Sequence, residues 1–586
     1  MRHLAARSFP SLGTGQRCYF LQKVYLSGYW GCRNPRPASN NTASRSFSSR
    51  ETPAVPLGPA HPNIQASSTI QPRTTQHKGK EKVVILGSGW GGYTLSRRIS
   101  SSKYDCTIIS PRSYFVFTPL LTDTAAGNLD FSSIVEPVRD HKTKVDFIQA
   151  AARSVDLKKK IVMCEASVVK SGVTESPRVD ETERAYEEGP ETGAMRGKEH
   201  LRQWEQGQMF EIPYDKLVIA VGCVSQTFDT PGVRENALFF KDIGDSRRVK
   251  RRVRECFELA ALPTTTDEMQ RHLLHFAIVG AGPTGTELAA TLRDFIARNM
   301  DELYPGLKGK ARMTLYDIAP TVLSMFDKSL SQYAMETMSK EGIDIRTSHH
   351  IQELRWGTPN SSAPHDMDPK GCLTLKTKEE GEVGVGMCVW ATGNTMNKFV
   401  KNALNRVEEF PEESTREKDS NRSTTGWRIK KAPKVGALLV DGHFRVQLEN
   451  EESKQTAVLQ DVFAIGDNAM PETGAPPATA QATNQEAKWL ADHFNKGDID
   501  RAVDFSFRNM GTLAYIGNAN ALMQIPHEKK DGGRRNPYLP EGLTGRMAWL
   551  VWKVAYLSMS ISWRNRMRIL FRWANNRVFG NDVSRF

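Results

Sequence analysis

Two stretches of the chain share one pattern, in which an apolar β-branched run leads into a glycine-rich turn and then into residues with helical spacing. The first run starts at Val83 and reaches a turn at 87–92, and the second starts at Phe276 and reaches a turn at 280–285. Short apolar runs bounded by glycine are typical of buried parallel strands, and a period near 3.6 residues indicates a helix. Each stretch therefore predicts a strand, a tight turn and a helix.

Both turns have the G-x-G-x-x-G spacing of a dinucleotide-binding site. The first glycine permits the tight turn, the second lets the backbone approach a pyrophosphate, and the third lets the helix pack on the strand. One copy is weak evidence, but two copies in this context predict FAD docked against NAD(P)H. The candidate contact residues are Gly87, Ser88, Gly89, Trp90, Gly91 and Gly92 for the first nucleotide, and Gly280, Gly282, Pro283, Thr284 and Gly285 for the second.

The residues that follow the next strand of each unit predict which nucleotide binds where. The strand at 106–109 ends in Ser110, Pro111 and Arg112, where an acid would normally bind a ribose. This departure is compatible with a resident FAD. The strand at 313–316 ends at Asp317, whose carboxylate would accept ribose hydroxyls and repel the 2′-phosphate of NADPH, so NADH is expected. A lengthened helix and loop explain the wide spacing, and an ordinary turn acid is the alternative.

Three later apolar runs close the two units. The runs at 214–222 and 389–394 end in Gly222 and in Thr392-Gly393, and the run at 461–465 leads to Gly466 and Asp467. At a strand end beside the first unit, Asp467 would accept a hydrogen bond from a ribityl hydroxyl of FAD. The predicted fold is therefore α/β, with two Rossmann-like domains in which the NADH domain is inserted into a split FAD domain.

Charge is unevenly distributed along this chain of 586 residues, whose formal net charge is +13. Residues 1–50 contain seven arginines, one lysine and no acid, which is typical of a mitochondrial transit peptide; a disordered basic tail is the alternative. The stretches 173–208 and 408–431 are polar and predict surface insertions. A basic helix around 247–254 is expected to be a solvated face and not a nucleic-acid patch, because no aromatic residues interleave with its charges.

The eight cysteines exclude several routes for electrons. No two of them have C-x-x-C or C-x4-C spacing, so the chain offers no dithiol beside a flavin and no zinc or iron–sulfur spacing. The sequence also lacks the D-x-[DN]-x-[DN]-G calcium loop. We predict no metal site and expect electrons to leave by another route.

The C-terminal stretch 545–577 is rich in tryptophan, leucine and arginine. Its apolar part is shorter than the roughly 20 residues that a spanning helix needs. Arg564, Arg568 and Arg572 share one helical face, and an apolar stripe follows another face. This pattern predicts a helix that lies on an anionic membrane surface. The same stripe would serve a homodimer, and both uses are compatible.

Several segments resemble fungal mitochondrial type II NADH:ubiquinone oxidoreductases. The resemblance covers nearly everything from residue 82 to the C-terminus except the insertions, and its most specific segments are 87–96, 109–115, 117–121, 280–287, 390–394, 464–469, 480–487 and 513–517. In that family the enzyme is a single polypeptide that is insensitive to rotenone and does not pump protons. It transfers hydride from NADH to FAD and two electrons to ubiquinone, feeding the respiratory chain.

The resemblance also implies roles for individual residues. It adds Thr118 to the FAD contacts and Gly393 to the NADH contacts, and it places Glu287 near the nicotinamide and both Gln481 and Gln485 near the quinone head. The family often has histidine where this chain has Asn484, so a proton-donating role there is not implied. A helix N-terminus that packs on FAD without touching quinone is the alternative for the two glutamines.

These inferences predict a domain order and a location. The expected segments are a transit peptide (1–50), a linker (51–80), the first half of the FAD domain (81–245), the NADH domain (246–396), the second half of the FAD domain with the quinone segment (397–520) and a membrane-anchoring or dimerisation region (521–586). The expected location is the mitochondrial inner membrane, with the matrix side favoured because no spanning segment follows the presequence. The alternatives are a reductase of a soluble electron carrier, which leaves the hydrophobic C-terminus unexplained, and a flavoprotein whose main role is binding; sulfide:quinone oxidation is disfavoured.

Overall fold

The computed structural model describes residues 79–140, 144–168, 207–360, 371–405, 407, 411, 426–472, 474, 476–525 and 542–580. The predicted transit peptide, nearly all of the predicted linker and most of the two polar insertions lie outside these described residues.

The first large sheet is built from strands at both ends of the chain. Its strands are β1 (Glu81–Leu86), β2 (Tyr104–Ser110), β5 (Val145–Asp156), β6 (Ile161–Ala166), β7 (Met209–Pro213), β8 (Lys216–Ile219), β19 (Trp427–Ile429), β20 (Leu438–Val440), β21 (Arg445–Asn450), β22 (Thr456–Ala464) and β23 (Ala469–Pro471). The centre of the sheet is parallel and has the order β22-β8-β1-β2-β5. Antiparallel pairing extends it through β6 and β7 on one side and through β19, β20 and β21 on the other, and β23 pairs parallel to β20.

The second sheet is parallel throughout and comes from the middle of the chain. The strands of this region are β10 (Leu238–Phe239), β11 (His275–Val279), β12 (Arg312–Tyr316), β13 (Ile343–Arg346), β14 (Ile351–Trp356), β15 (Leu373–Thr377), β16 (Gly381–Val385) and β17 (Met387–Trp390). The parallel sheet has the order β10-β17-β11-β12-β13, and a three-stranded antiparallel sheet, β14-β15-β16, accompanies it. Such buried parallel strands read as continuous apolar runs because helices cover both faces.

The chain crosses between the two sheets twice, and the two crossings pair with each other. The strand β9 (Cys223–Ser225) leads from the first sheet to the second, and β18 (Asn394–Met396) leads back; they form an antiparallel ribbon. The strands of the second sheet thus interrupt the first one in sequence. This confirms the predicted insertion of one nucleotide unit into the other.

Ten α-helices are described, and one of them confirms a prediction. They are α1 (Trp90–Arg98), α2 (Leu121–Ala125), α3 (Val233–Asn236), α4 (Ile243–Ala260), α5 (Asp267–Leu273), α6 (Pro283–Phe295), α7 (Lys328–Lys340), α8 (Ala480–Lys496), α9 (Gly545–Met559) and α10 (Trp563–Phe579). The helix α6 continues through a π-helical stretch, Ile296–Met300, into a further helical turn, Asp301–Leu303. This lengthened helix accounts for the wide spacing between the second glycine turn and Asp317.

The C-terminal region consists of a small sheet followed by two helices. The strands β24 (Thr512–Gly517), β25 (Asn520–Gln524) and β26 (Gly542–Thr544) pair antiparallel and precede α9 and α10, while a hairpin of β3 (Tyr114–Val116) and β4 (Val135–Pro137) lies in the first half of the chain. Within the described part of the chain, none of the helices is long and apolar enough to cross a bilayer.

Candidate functional site

The first glycine turn has the steric requirements of a dinucleotide site. Gly87 has a φ of +105°, and a Cβ there would lie 2.3 Å from the carbonyl oxygen of Ala220. A Cβ on Gly92 would lie 1.9 Å from the carbonyl oxygen of Gly87, so the helix could not pack on the turn. Around Gly89, by contrast, a Cβ would meet nothing within 4 Å. The middle glycine therefore borders open space, as the approach of a pyrophosphate requires.

The second turn repeats this geometry. Gly280 has a φ of +110°, and its Cβ would lie 2.8 Å from Cβ of Thr392. A Cβ on Gly285 would lie 1.8 Å from the carbonyl oxygen of Gly280, whereas Gly282 faces open space. Thr392 thus lies beside the turn to which the sequence assigned it. Both turns fit a bound dinucleotide at the N-terminus of the following helix.

A cavity of about 2920 Å³ brings residues of the two turns together. Cationic side chains outnumber carboxylates in its lining, which suits the pyrophosphates of two dinucleotides. Most of the predicted contact residues line it: Gly87, Ser88, Gly89, Trp90, Gly91, Ser110, Pro111, Arg112, Thr118, Gly222, Pro283, Thr284, Glu287, Gly393, Gly466 and Asp467. The predicted residues outside this lining are Gly92, Gly280, Gly282, Gly285, Asp317, Thr392, Gln481 and Gln485.

Ser110 and Arg112, which replace the usual ribose-binding acid, are fixed by a local network. The hydroxyls of Ser88 and Ser110 lie 2.9 Å apart, and the Ser110 hydroxyl accepts a hydrogen bond from the backbone N–H of Arg112 at 3.2 Å. The Arg112 guanidinium forms an ion pair with Asp242 at 3.1 Å, and Asp242 caps α4. The first turn, the end of β2 and the start of α4 are thereby joined around the cavity.

The carboxylate of Asp317 holds the second turn from the end of β12. It accepts a hydrogen bond from the backbone N–H of Ala281 at 2.5 Å and another from that of Ala319 at 2.7 Å. Because Ala281 belongs to the glycine turn, Asp317 orients the backbone that would face a pyrophosphate. This position at a strand end is the one expected for a ribose-binding acid.

The turn that carries Asp467 is held by two side chains that the sequence pattern did not single out. The amide oxygen of Asn468 accepts a hydrogen bond from the backbone N–H of Gly222 at 2.9 Å, and Glu486 on α8 accepts one from Gly466 at 2.6 Å. Burial raises the pKa of the Glu486 carboxyl to about 7, against the opposing effect of the Gly466 hydrogen bond. These contacts place Asp467 and Gly222 side by side in the cavity wall.

Glu287 lines the cavity and is only 7% exposed. Its carboxyl accepts hydrogen bonds from the backbone N–H of Tyr515 at 3.1 Å and from the indole N–H of Trp552 at 3.4 Å. Burial raises the pKa of Glu287 to about 8; the two hydrogen bonds oppose this rise, and nearby Asp123 adds to it. A carboxyl with this pKa is largely protonated at neutral pH and can donate a hydrogen bond.

The C-terminal helix α9 supplies an aromatic wall next to Glu287. Tyr556 lines the cavity, and its ring meets Trp552 edge-on with centroids 4.9 Å apart. The ammonium group of Lys553 lies 4.5 Å from the ring centroids of both Trp549 and Trp573, which clamps α10 to α9. None of these residues follows a nucleotide-binding motif, so only their proximity to Glu287 identifies them as part of the site.

The two glutamines predicted to contact quinone are engaged by a neighbouring segment. The side-chain amide of Gln481 donates to the carbonyl of Gly511 at 3.2 Å and accepts from the N–H of Met510 at 3.0 Å. The Gln485 amide pairs with the backbone of Arg508 in the same way, at 2.9 and 3.1 Å. Both side chains therefore hold the segment 508–511 along α8.

The arginine stripe of α10, which the sequence predicts to meet anionic lipid, also contacts residues of the protein itself, while Arg564 and Arg568 remain exposed. Arg564 and Arg572 form ion pairs with Glu136 at 3.5 Å and Asp130 at 3.4 Å. Arg568 completes the stripe with a hydrogen bond to the carbonyl of Ser132 at 3.4 Å. The adjoining face is exposed and apolar, and its residues are Trp563, Met567, Leu570, Phe571 and Val578.

The expectation of a solvated basic face on α4 is wrong in part. Arg254 is only 6% exposed, and it lines the cavity together with Arg247, Arg248, Lys250 and Arg251. The helix contacts β10 and β17 of the second sheet, and although Arg247 and Arg251 remain exposed, the charged run borders the cavity. A charge run read from sequence alone carries no information about such a neighbour.

Family models and known proteins agree with this geometry. Residues 81–408 match the pyridine nucleotide-disulphide oxidoreductase family, and residues 509–582 match the NDH2 C-terminal domain. The solved structure of NDH2 from Plasmodium falciparum in complex with NADH superimposes with a TM-score of 0.65 at 22% identity, covering 86% of this chain and 100% of that one. At that identity the likeness supports the fold.

Curated relatives extend the match over most of the chain. A probable NADH dehydrogenase from Dictyostelium discoideum is 31% identical over 521 residues, which cover 87% of this chain and 93% of that protein. The mitochondrial external NADH-ubiquinone oxidoreductase 2 of Saccharomyces cerevisiae is 30% identical and covers 86% and 82%. With both domains matched, the chain belongs to the pyridine nucleotide-disulphide oxidoreductase family and, within it, to the type II NADH dehydrogenases.

Proposed function

We propose that this protein is a mitochondrial NADH:ubiquinone oxidoreductase that uses FAD and does not pump protons. The observation that carries the proposal is one cavity lined by residues of both glycine turns and by Glu287, whose carboxyl accepts a hydrogen bond from Trp552 on the C-terminal helix α9. The names of the relatives from Dictyostelium and yeast support the NADH and quinone substrates. FAD, when bound, would supply the chemistry by accepting a hydride and passing on two electrons.

The first turn and the wall around Asp467 would hold FAD. The α1 N-terminus offers backbone N–H groups to a pyrophosphate, while Asp467 would accept a hydrogen bond from the ribityl chain. Trp90 donates to Thr118 at 3.0 Å, which fixes both side chains at the cavity edge. We assign FAD contacts to Gly87, Ser88, Gly89, Trp90, Gly91, Gly92, Ser110, Pro111, Arg112, Thr118, Gly222, Gly466 and Asp467.

The second turn would take NADH. Asp317 is placed at the end of β12 to accept ribose hydroxyls, and its negative charge would repel the 2′-phosphate of NADPH. Glu287, held by Trp552 and Tyr515, would present its protonated oxygen to the nicotinamide carboxamide and so orient the ring. We assign NADH contacts to Gly280, Gly282, Pro283, Thr284, Gly285, Asp317, Thr392 and Gly393.

We place the quinone head near Gln481 and Gln485, at the start of α8. Both amides pair with the segment 508–511. The quinone head would therefore contact the two glutamines only if this segment moves away from α8; otherwise it would contact the segment itself. Leu513, two residues after the segment, lines the cavity and supports a path from α8 toward Glu287.

The exposed apolar face of α10 would contact membrane lipid. Trp563 is 71% exposed and Phe571 is 74% exposed, and the neighbouring face of α9 exposes Met547, Leu550 and Val554. An amphipathic helix of this kind binds at the lipid interface. We propose a homodimer through the same C-terminal region; light scattering with and without detergent distinguishes protein contact from lipid contact.

We also propose domain boundaries and a location for the protein. We divide the chain into a transit peptide (1–50), a linker (51–80), an FAD domain (81–245 and 397–520), an inserted NADH domain (246–396) and a C-terminal anchoring region (521–586). We propose the matrix face of the inner membrane, supported by the predicted presequence. Protease treatment of mitochondria tests this side. Degradation when only the outer membrane has been opened, with the inner membrane intact, would place the enzyme on the intermembrane-space face.

Steady-state turnover of the purified full-length protein tests the function. We expect rapid oxidation of NADH with a short-chain ubiquinone, slower turnover with NADPH, no inhibition by rotenone, and an FAD spectrum that is bleached by NADH. Reduction of ferricyanide but not of quinone would favour a reductase of a soluble carrier. Absence of NADH oxidation by an FAD-loaded protein would contradict the enzymatic proposal altogether.

Within this test, variants separate the quinone site from the flavin site. Gln481→Ala and Gln485→Ala should raise the quinone KM while ferricyanide reduction stays normal. Unchanged quinone kinetics in both variants would mean that the glutamines only hold the segment 508–511.

A further inference from the structure

A cysteine, a lysine and a carboxylate form a hydrogen-bonded chain in the cavity wall. The thiol of Cys223 donates to Oδ2 of Asp467 at 3.0 Å. The ammonium group of Lys241 donates to the Cys223 sulfur at 3.1 Å and to the side-chain oxygen of Asn394 at 2.8 Å. All four residues line the cavity. We call this set the Lys241–Cys223–Asp467 relay.

The relay joins segments that are far apart in the chain. Cys223 begins β9, where the chain leaves the first sheet, and Asn394 begins β18, where it returns. Lys241 directly precedes the capping residue of α4, and Asp467 lies in the turn after β22. The relay therefore ties the turn that carries Asp467, in the first nucleotide unit, to β9 and β18, the two segments that connect this unit with the second one.

The chemistry of the three groups fits this arrangement. Burial raises the pKa of the Cys223 thiol to about 11; Lys241 opposes this rise and Asp467 adds to it. The thiol thus keeps its proton near neutral pH and remains a donor. Its single hydrogen is directed at Asp467, so a sulfur lone pair is free to accept from Lys241. Hydrogen bonds to a charged acceptor are stronger than neutral ones.

We infer that Cys223 and Lys241 are positioning residues for FAD, which hold the Asp467 carboxylate in the orientation that receives the ribityl chain. This inference rests on the proposed function, in which Asp467 is an FAD ligand. A fixed carboxylate binds its partner more tightly than a mobile one because less side-chain freedom is lost on binding. By the same contacts, the crossing ribbon β9–β18 is held against the flavin site.

FAD affinity of the full-length apoprotein, measured by flavin fluorescence titration, tests the relay without relying on turnover. Cys223→Ala should raise the FAD Kd about tenfold, as expected for one lost hydrogen bond to a charged acceptor. Cys223→Ser, which keeps a donor, should stay within about threefold of the unaltered protein. Cys372→Ala is the matched control, because Cys372 is buried away from the cavity and donates only to Gly357.

A double-mutant cycle separates the relay from independent structural effects. Lys241→Met should also weaken FAD binding, and the double variant with Cys223→Ala should lose clearly less than the product of the two single losses, since both act through Asp467. Multiplicative losses, or a Cys223→Ser variant as weak as Cys223→Ala, would overturn the inference.

A third variant keeps this inference distinct from the proposed function. If Asp467→Leu, which removes both acceptor oxygens at similar size, leaves the FAD Kd unchanged, Asp467 is not an FAD ligand and the assignment of the flavin site itself fails. If Asp467→Leu weakens binding while Cys223→Ala and Lys241→Met bind as the unaltered protein does, the flavin site stands and the relay is refuted.

Discussion

The buried carboxyl of Glu287 should make the stability of the folded protein depend on pH. Its pKa rises from an ordinary 4.5 to about 8 because folding removes it from water. The folded state thus binds this proton more tightly than the unfolded state. Stability from this group is greatest below pH 4.5 and is lost as the pH rises toward 8, where the carboxylate must ionise in a buried site.

The magnitude follows from the two pKa values. A tenfold difference in proton affinity is worth about 1.4 kcal/mol, so relative to low pH the folded state loses about 1 kcal/mol of stability at pH 5, where the carboxyl ionises only in the unfolded chain, and more than about 4 kcal/mol at pH 8.5. Glu287→Gln has nearly the same shape and cannot ionise. The variant should therefore gain about 3 to 4 kcal/mol over the unaltered protein between these pH values.

Thermal unfolding with saturating FAD measures this gain. For a protein larger than 250 residues, about 1 °C per kcal/mol is expected, so the Tm of Glu287→Gln relative to the unaltered protein should rise on the order of 4 °C from pH 5 to pH 8.5. Glu336→Gln on α7 is the control, since Glu336 is exposed and its replacement should leave the pH profile unchanged. A Tm difference that stays constant between pH 5 and 8.5 would refute the reasoning from burial.

Three further predictions test the nucleotide turns and the C-terminal helix. Gly92→Ala places a Cβ 1.9 Å from a backbone carbonyl of the first turn, so the purified protein should retain almost no flavin by absorbance; full flavin content would show that the turn adapts. Asp317→Ala removes the acceptor at the end of β12 and should raise the NADH KM at least about tenfold while improving NADPH relative to NADH, by steady-state kinetics; an unchanged ratio of the two would mean that Asp317 is only a turn acid. The double variant Trp563→Ser and Phe571→Ser should weaken binding to lipid vesicles at least about tenfold in a flotation assay, because it removes two large apolar side chains from the interface. Val503→Ser, at another exposed apolar position, should bind vesicles as the unaltered protein does; equal loss in both would argue against a specific lipid face.

The nucleotide units could be predicted because their signals are local. A strand, a tight turn and a helix follow one another within twenty residues, and the clash of a Cβ at Gly92 or Gly285 with its own turn explains why the spacing is strict. The positions of Asp317 and Asp467 at strand ends also follow from the order of apolar runs. The insertion of one unit into the other could be predicted for the same reason.

Contacts between side chains from distant parts of the chain could not be predicted from the sequence. Arg564 and Arg572 belong to a stripe that the sequence predicts, but their acidic partners lie more than 400 positions earlier in the chain and no pattern points to them. The cationic run on α4 reads as solvated; Arg247 and Arg251 are exposed, but Arg254 is buried and the run borders the cavity. Periodicity identifies which residues share a face, but it does not identify what that face meets.

Two dinucleotide units, their nesting and an amphipathic C-terminus can be predicted from the amino-acid sequence, because they depend on local sterics and on short periodic patterns. The protonation of Glu287 depends instead on packing, since the indole of Trp552, which donates to it, comes from 265 positions away. Likewise, only folding brings Cys223 and Lys241 to Asp467. Burial and charge contacts arise from packing between distant segments, and no local pattern encodes them.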